Sequence, residues 1–117
     1  MINITNMPIN EIKSIMDNRN LTKEKVKSLI LENKDVCREQ TINGYYVRTI
    51  VSQNAPNGEI ILKVLAVYES KEDSNVVQYN VDVENMFGTL LHSTPFEPND
   101  IDGVAMEFIK NFNMARR

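Results

Sequence analysis

Two periods of apolar spacing divide the chain. From residue 9 to residue 31 apolar side chains recur every three or four positions; from 44 to 84 they recur every second position; past 100 the helical spacing returns. Pro8 suits a first helical turn, and Ile9, Ile12, Ile15 and Met16 then share one face, which predicts a first helix closed by Asn18, Arg19 and Asn20. Thr22 suits the cap of a second helix. Its Val26, Leu29 and Ile30, with Leu31 at the margin, face a core, while Lys23, Lys25 and Lys27 fall on the wet side. The pattern runs out near Asn33.

In the middle of the chain Tyr45, Val47, Thr49 and Val51 alternate with Tyr46, Arg48 and Ile50, as in a strand. Asn54-Ala55-Pro56-Asn57-Gly58 predicts a hairpin. The strand after it, Ile60 to Tyr68, is apolar on both faces and interrupted only by Lys63, as expected of a central strand covered on each side. Glu69 to Asn75 reads as a polar turn. Val77, Tyr79, Val81 and Val83 then alternate with Gln78, Asn80, Asp82 and Glu84, predicting one face in the core and one in water. Phe87 to His92 adds a short fourth strand, and Thr94 to Pro98 reads as a loop with two prolines.

Asn99 or Asp100 suits the cap of a last helix carrying the stripe Ile101, Val104, Ala105, Phe108, Ile109 and Phe112. Asp100 and Asp102 at its start and Arg116 and Arg117 after its end match the helix dipole, and Gly103 within it marks a close approach. The expected fold is α+β in a single domain over 1–117: two N-terminal helices, an antiparallel meander of three or four strands and a C-terminal amphipathic helix. Ile61, Leu65 and Val67 on the second face of the central strand need a cover. The N-terminal helices are the expected one, with a partner or a second copy of the chain as the alternatives.

Composition adds few constraints. The chain of 117 residues is 42% apolar and 25% charged, with no apolar run near the ~20 residues of a membrane span. Met1 to Asn10 has no basic region followed by an apolar stretch, so no signal peptide is expected; one cysteine, Cys37, fits a reducing compartment, and the cytoplasm is the expected location. Fifteen asparagines and no tryptophan point to an AT-rich coding source such as a low-GC bacterium or its phages.

Most catalytic chemistry lacks its residues. One histidine, His92, and one cysteine supply neither a tetrahedral zinc set nor, from the sequence alone, a nucleophile beside its base. Glu69, Glu72 and Asp73 lack the alternate spacing and central glycine of an EF-hand loop, and Gly44, Gly58, Gly88 and Gly103 lie too far apart for a phosphate-binding loop. Asp82 and Glu84 share a strand face, as paired acids of glycosidases do, but a solvated strand uses such acids for solubility. The expectation is a non-enzyme with no cofactor and no metal.

Two partial likenesses bear on partners. Ile12 to Ile30 resembles the first two helices of a helix-turn-helix repressor through its short helix, its Asn20-Leu21-Thr22 entry and its Val26, Leu29 and Ile30 packing. It departs from that pattern at Lys27, where a small residue belongs, and at Leu31, where a turn glycine belongs. The order helix, three strands, helix over Thr22 to Phe112 is similar to a double-stranded-RNA-binding domain. That family places lysines at the start of its last helix, where this chain has Asn99-Asp100-Ile101-Asp102-Gly103, so shared topology would not carry RNA binding with it. Neither likeness defines a family.

Charge distribution gives the functional expectation. From Val64 to Glu107 nine carboxylates face one lysine, a balance of −8 that leaves +5 for the rest of a chain at −3. The acids alternate with core positions and so describe a folded acidic face rather than an acidic tail. The expected contact residues are Glu69, Glu72, Asp73, Gln78, Asn80, Asp82 and Glu84. The row on the strand, spaced about 6–7 Å, spans roughly two phosphates of a DNA strand per step. This predicts a non-catalytic, protein-binding inhibitor, of the kind phages or mobile elements encode against host defence or host enzymes, set against a basic groove of a larger protein. Membrane and nucleic acid are not expected partners, and a homodimer is compatible with the pattern. Two alternatives are a DNA-binding regulator using the N-terminal basic helices, and an immunity protein or secretion chaperone.

Overall fold

The computed structural model describes residues 22–33 and 37–114. The elements in order are α1 (Lys23–Glu32), β1 (Arg38–Ile42), β2 (Tyr45–Asn54), β3 (Ile60–Tyr68), β4 (Gln78–Asn85), β5 (Leu90–Phe96) and α2 (Ile101–Met114). The fold is α+β: a five-stranded antiparallel meander in the order β1-β2-β3-β4-β5, with two helices on one face. The helix expected over residues 9–16 lies outside the described residues.

Local chemistry sets the helix ends. The Thr22 hydroxyl accepts from the Lys25 N–H at 3.2 Å, and Asn33 closes α1 in the left-handed conformation, its N–H donating to the Leu29 carbonyl. At α2 the Asp100 carboxylate accepts from the Gly103 N–H at 3.0 Å, and a Cβ on Gly103 would stand 2.4 Å from that carboxylate. The close approach read at Gly103 is thus to its own cap. Asp100→Ala is expected to cost about 1 kcal/mol in a urea titration followed by circular dichroism, with no change in slope.

One continuous core joins both helices to the sheet. It holds Val26 and Ile30 from α1, Val104, Ala105, Phe108 and Phe112 from α2, and Ile50, Val51, Leu62, Val64, Ala66, Tyr68, Tyr79, Val81 and Val83 from the strands. The predicted central strand is the central strand, and the alternation of β4 sends Tyr79, Val81 and Val83 inward as read. Val47 and Leu65, on the face away from the helices, are buried as well, and Ile61 and Val67 are half-buried.

The structure departs from the sequence reading in three places. There are five strands, because Arg38–Ile42 pairs with β2 through the two-residue turn Asn43-Gly44, both at positive φ. The last strand continues through Thr94, Pro95 and Phe96, where a loop was expected, while Phe87 sits in the turn before it. A register shift between Thr49 and Val51 breaks the alternation of β2, so Val51 joins Ile50 in the helix-side core, opposite Val64, rather than sharing a face with Val47 and Thr49.

Candidate protein-binding surfaces

The polar row of β4 is a bonded network. The Gln78 amide donates to Asn80 at 2.7 Å, the Asn80 amide donates to the Ser93 hydroxyl at 3.0 Å, and that hydroxyl donates to Asp82 at 2.5 Å. Lys63, directly across from Asp82 on β3, forms an ion pair with Glu84 at 3.0 Å, and both side chains are less than one-fifth exposed. Asp82 is only 8% exposed. Burial raises its pKa above the usual carboxylate value, and the Ser93 hydrogen bond offsets part of that rise. The face expected in water therefore has its acids partly withdrawn and mutually satisfied.

The other three acids stand differently. Glu69, Glu72 and Asp73 lie in the segment between β3 and β4 and are exposed. Among the described residues none of them has a cationic group within ion-pair distance. Asp73 instead accepts from the Ser70 hydroxyl at 3.2 Å, which shapes the turn. An open cleft of about 440 Å³ runs between this segment and the β1–β2 hairpin, lined by Glu39, Tyr46, Glu69, Lys71 and Glu72 among others.

One wall of that cleft is aromatic and braced. Tyr46 lies across from Tyr68, their ring centroids 5.7 Å apart and tilted by 46°, and the Arg48 guanidinium sits 6.0 Å from the Tyr68 ring centroid. The Tyr46 hydroxyl donates to the Glu39 carboxylate, and this bond, more than its burial, holds the phenol above its usual pKa. Sequence reasoning missed Glu39 and Tyr46 as site residues. The available signal was Asn43-Gly44, which folds β1 onto β2 and brings Glu39 within reach of Tyr46.

The other singled-out groups are dispersed. Lys27 and Lys23 of α1 both reach Asp102 of α2, at 2.7 and 3.9 Å, so two of the three helix lysines brace the helix pair. The hydrogen bond between Lys27 and Asp102 raises the lysine pKa and lowers that of the carboxylate. Cys37 flanks β1 at one edge of the sheet and His92 lies on β5 at the other, four strand spacings or roughly 19 Å away. Among the described residues no group of three or more His, Cys, Asp or Glu side chains is arranged to hold a metal ion, and no helix is long and apolar enough to cross a membrane.

Comparison of the chain with family models, with curated proteins and with solved structures gave no match.

Proposed function

We propose that this chain is a non-catalytic binding protein that inhibits or shields a larger, basic protein, of the kind carried by phages and other mobile elements. The observation that carries the reading is the set of exposed acids Glu69, Glu72 and Asp73 without cationic partners among the described residues, beside a cleft that also holds Glu39 and Tyr46. A lysine or arginine side chain of the partner suits this cleft, since carboxylates neutralise its head and the Tyr46 ring takes its stem or its charge. Of the wider acidic face, Gln78, Asn80, Asp82 and Glu84 serve as the support behind the contact, because their hydrogen-bonding capacity is spent on one another, on Ser93 and on Lys63.

The test is capture of a partner on the immobilised chain at low and high salt, repeated with Glu69→Lys plus Glu72→Lys. The expected result is a basic protein released by salt and bound about tenfold or more weakly by the double variant. The reading fails if no stable partner is retained or if charge reversal leaves the affinity unchanged. Reversing Asp82 and Glu84 would not be a clean test, since Asp82 is buried and Glu84 is paired, and the variant would confound binding with folding.

A further inference from the structure

The tip of the β4–β5 hairpin stands at the opposite end of the sheet from the acidic cleft. Met86, Phe87, Leu90 and Leu91 fall within six residues there and are 64%, 85%, 53% and 55% exposed. Four large apolar side chains on one turn exceed the scattered exposure ordinary for a surface.

The turn that presents them is fixed. The Asn85 side-chain oxygen accepts from the N–H groups of Phe87 and Thr89, each at 2.9 Å. The Asn85 N–H donates to the Thr89 carbonyl and the Gly88 N–H to the Asn85 carbonyl, each at 3.0 Å. Gly88 takes the positive φ of 84° that closes the turn at no steric cost. Four hydrogen bonds thus hold the most exposed aromatic of the chain in place, so an association through Phe87 loses little loop entropy.

Charge selects the occupant. No Asp, Glu, Lys or Arg occurs from Asn85 to Phe96, although the chain is 25% charged and this window lies inside its −8 segment. Two copies repel over most of that segment and do not repel here. The flanking charges, Glu84 and Glu97, are acidic, which opposes an anionic membrane surface. Backbone pairing at this edge is discouraged by Pro95 and by the irregularity that leaves Leu91 unpaired, so the contact is made by side chains. We infer that the β4–β5 hairpin tip is the contact surface between two copies of this chain. A patch on the order of a few hundred Å² per copy falls short of the ~1,200 Å² of a stable complex. The dimer is therefore weak and concentration-dependent.

The inference concerns a different surface from the acidic cleft and stands or falls separately from it. Sedimentation equilibrium of the full chain, from micromolar to hundreds of micromolar, reads the mass directly. The expected mass rises from 13.4 kDa toward twice that value with concentration. Phe87→Asp is expected to weaken association at least tenfold with an unchanged circular dichroism spectrum, and Leu91→Lys gives the same reading at a second exposed position. Tyr45→Asp, on an aromatic 48% exposed at the β1–β2 end, leaves association as it was. A single-chain mass at every concentration overturns the inference. So does association that ignores both hairpin variants, or that Tyr45→Asp weakens equally.

Discussion

Phe112→Ala is expected to remove about 3–5 kcal/mol of folding stability, a large share of the ~5–15 kcal/mol a domain of this size holds. Phe112 is fully buried and is the largest such side chain among the described residues. It sits near the end of α2, where the helix depends on packing for its hold on the sheet; no basic residue supports its last described turn. Its removal takes away the transfer energy of the ring and leaves a cavity. The β-sheet behind it, with Leu62, Val64 and Val81 fully buried, cannot collapse into that cavity without breaking its ladder. The chain has no tryptophan, so the measurement is urea unfolding followed by far-ultraviolet circular dichroism. The midpoint should fall with the slope unchanged. A loss below about 1 kcal/mol would show that the end of α2 is outside the cooperative core.

The elements that were legible in the sequence are those whose environment repeats along the chain. β4 has one face against both layers of the core and the other against polar neighbours, so its alternation is strict. α2 carries a buried stripe of Val104, Ala105, Phe108 and Phe112, which its spacing foretells. β3 reads as central because it is paired on both sides and lined with apolar residues on both faces. What stayed hidden lies at the edges. β1 is the sequence Arg-Glu-Gln-Thr-Ile, with only its third residue half-buried, so no apolar period announces it. β5 is largely exposed and contains Pro95, which argues for a loop until its pairing with β4 is known. The shift near Ile50 is a property of the pairing, and no single-strand pattern encodes it.

The candidate site shows the same limit. The seven contact residues were chosen because they are polar and share a region of negative charge. Polarity does not fix exposure: Asp82 is buried because Lys63 and Ser93 come from neighbouring strands whose register the sequence leaves open. Glu69, Glu72 and Asp73 were placed correctly on the surface because a turn offers them nothing else to do. The partner of their cleft, Glu39, is some thirty residues away in sequence and comes close only through β1.

Lys63→Met is expected to be the most pH-sensitive lesion in the fold. Lys63 is the cation opposite Asp82 and the ion-pair partner of Glu84, so its loss leaves two carboxylates side by side on a half-buried strand face. Removing one member of a fully buried pair costs ~3–5 kcal/mol; at this partly exposed site about 2 kcal/mol is expected at neutral pH. The sign with pH follows from Asp82. Its folded pKa is raised, so its contribution to stability is fully present below the ordinary aspartate value of 3.8 and is lost as pH rises through the folded value. Lys63 opposes that rise by favouring the charged carboxylate. Without it the folded value moves further up and the loss begins from a higher pH, so the deficit of the variant is largest near neutrality and shrinks on acidification. Adding Asp82→Asn, which keeps the acceptor for Ser93 and removes the charge, should restore part of the stability at neutral pH and flatten the pH dependence. Urea midpoints of the wild type, the single variant and the double variant at neutral and mildly acid pH decide the matter. An equal deficit at both pH values, or a double variant no more stable than Lys63→Met, would mean that Lys63 holds the strand face through its aliphatic stem and not through its charge.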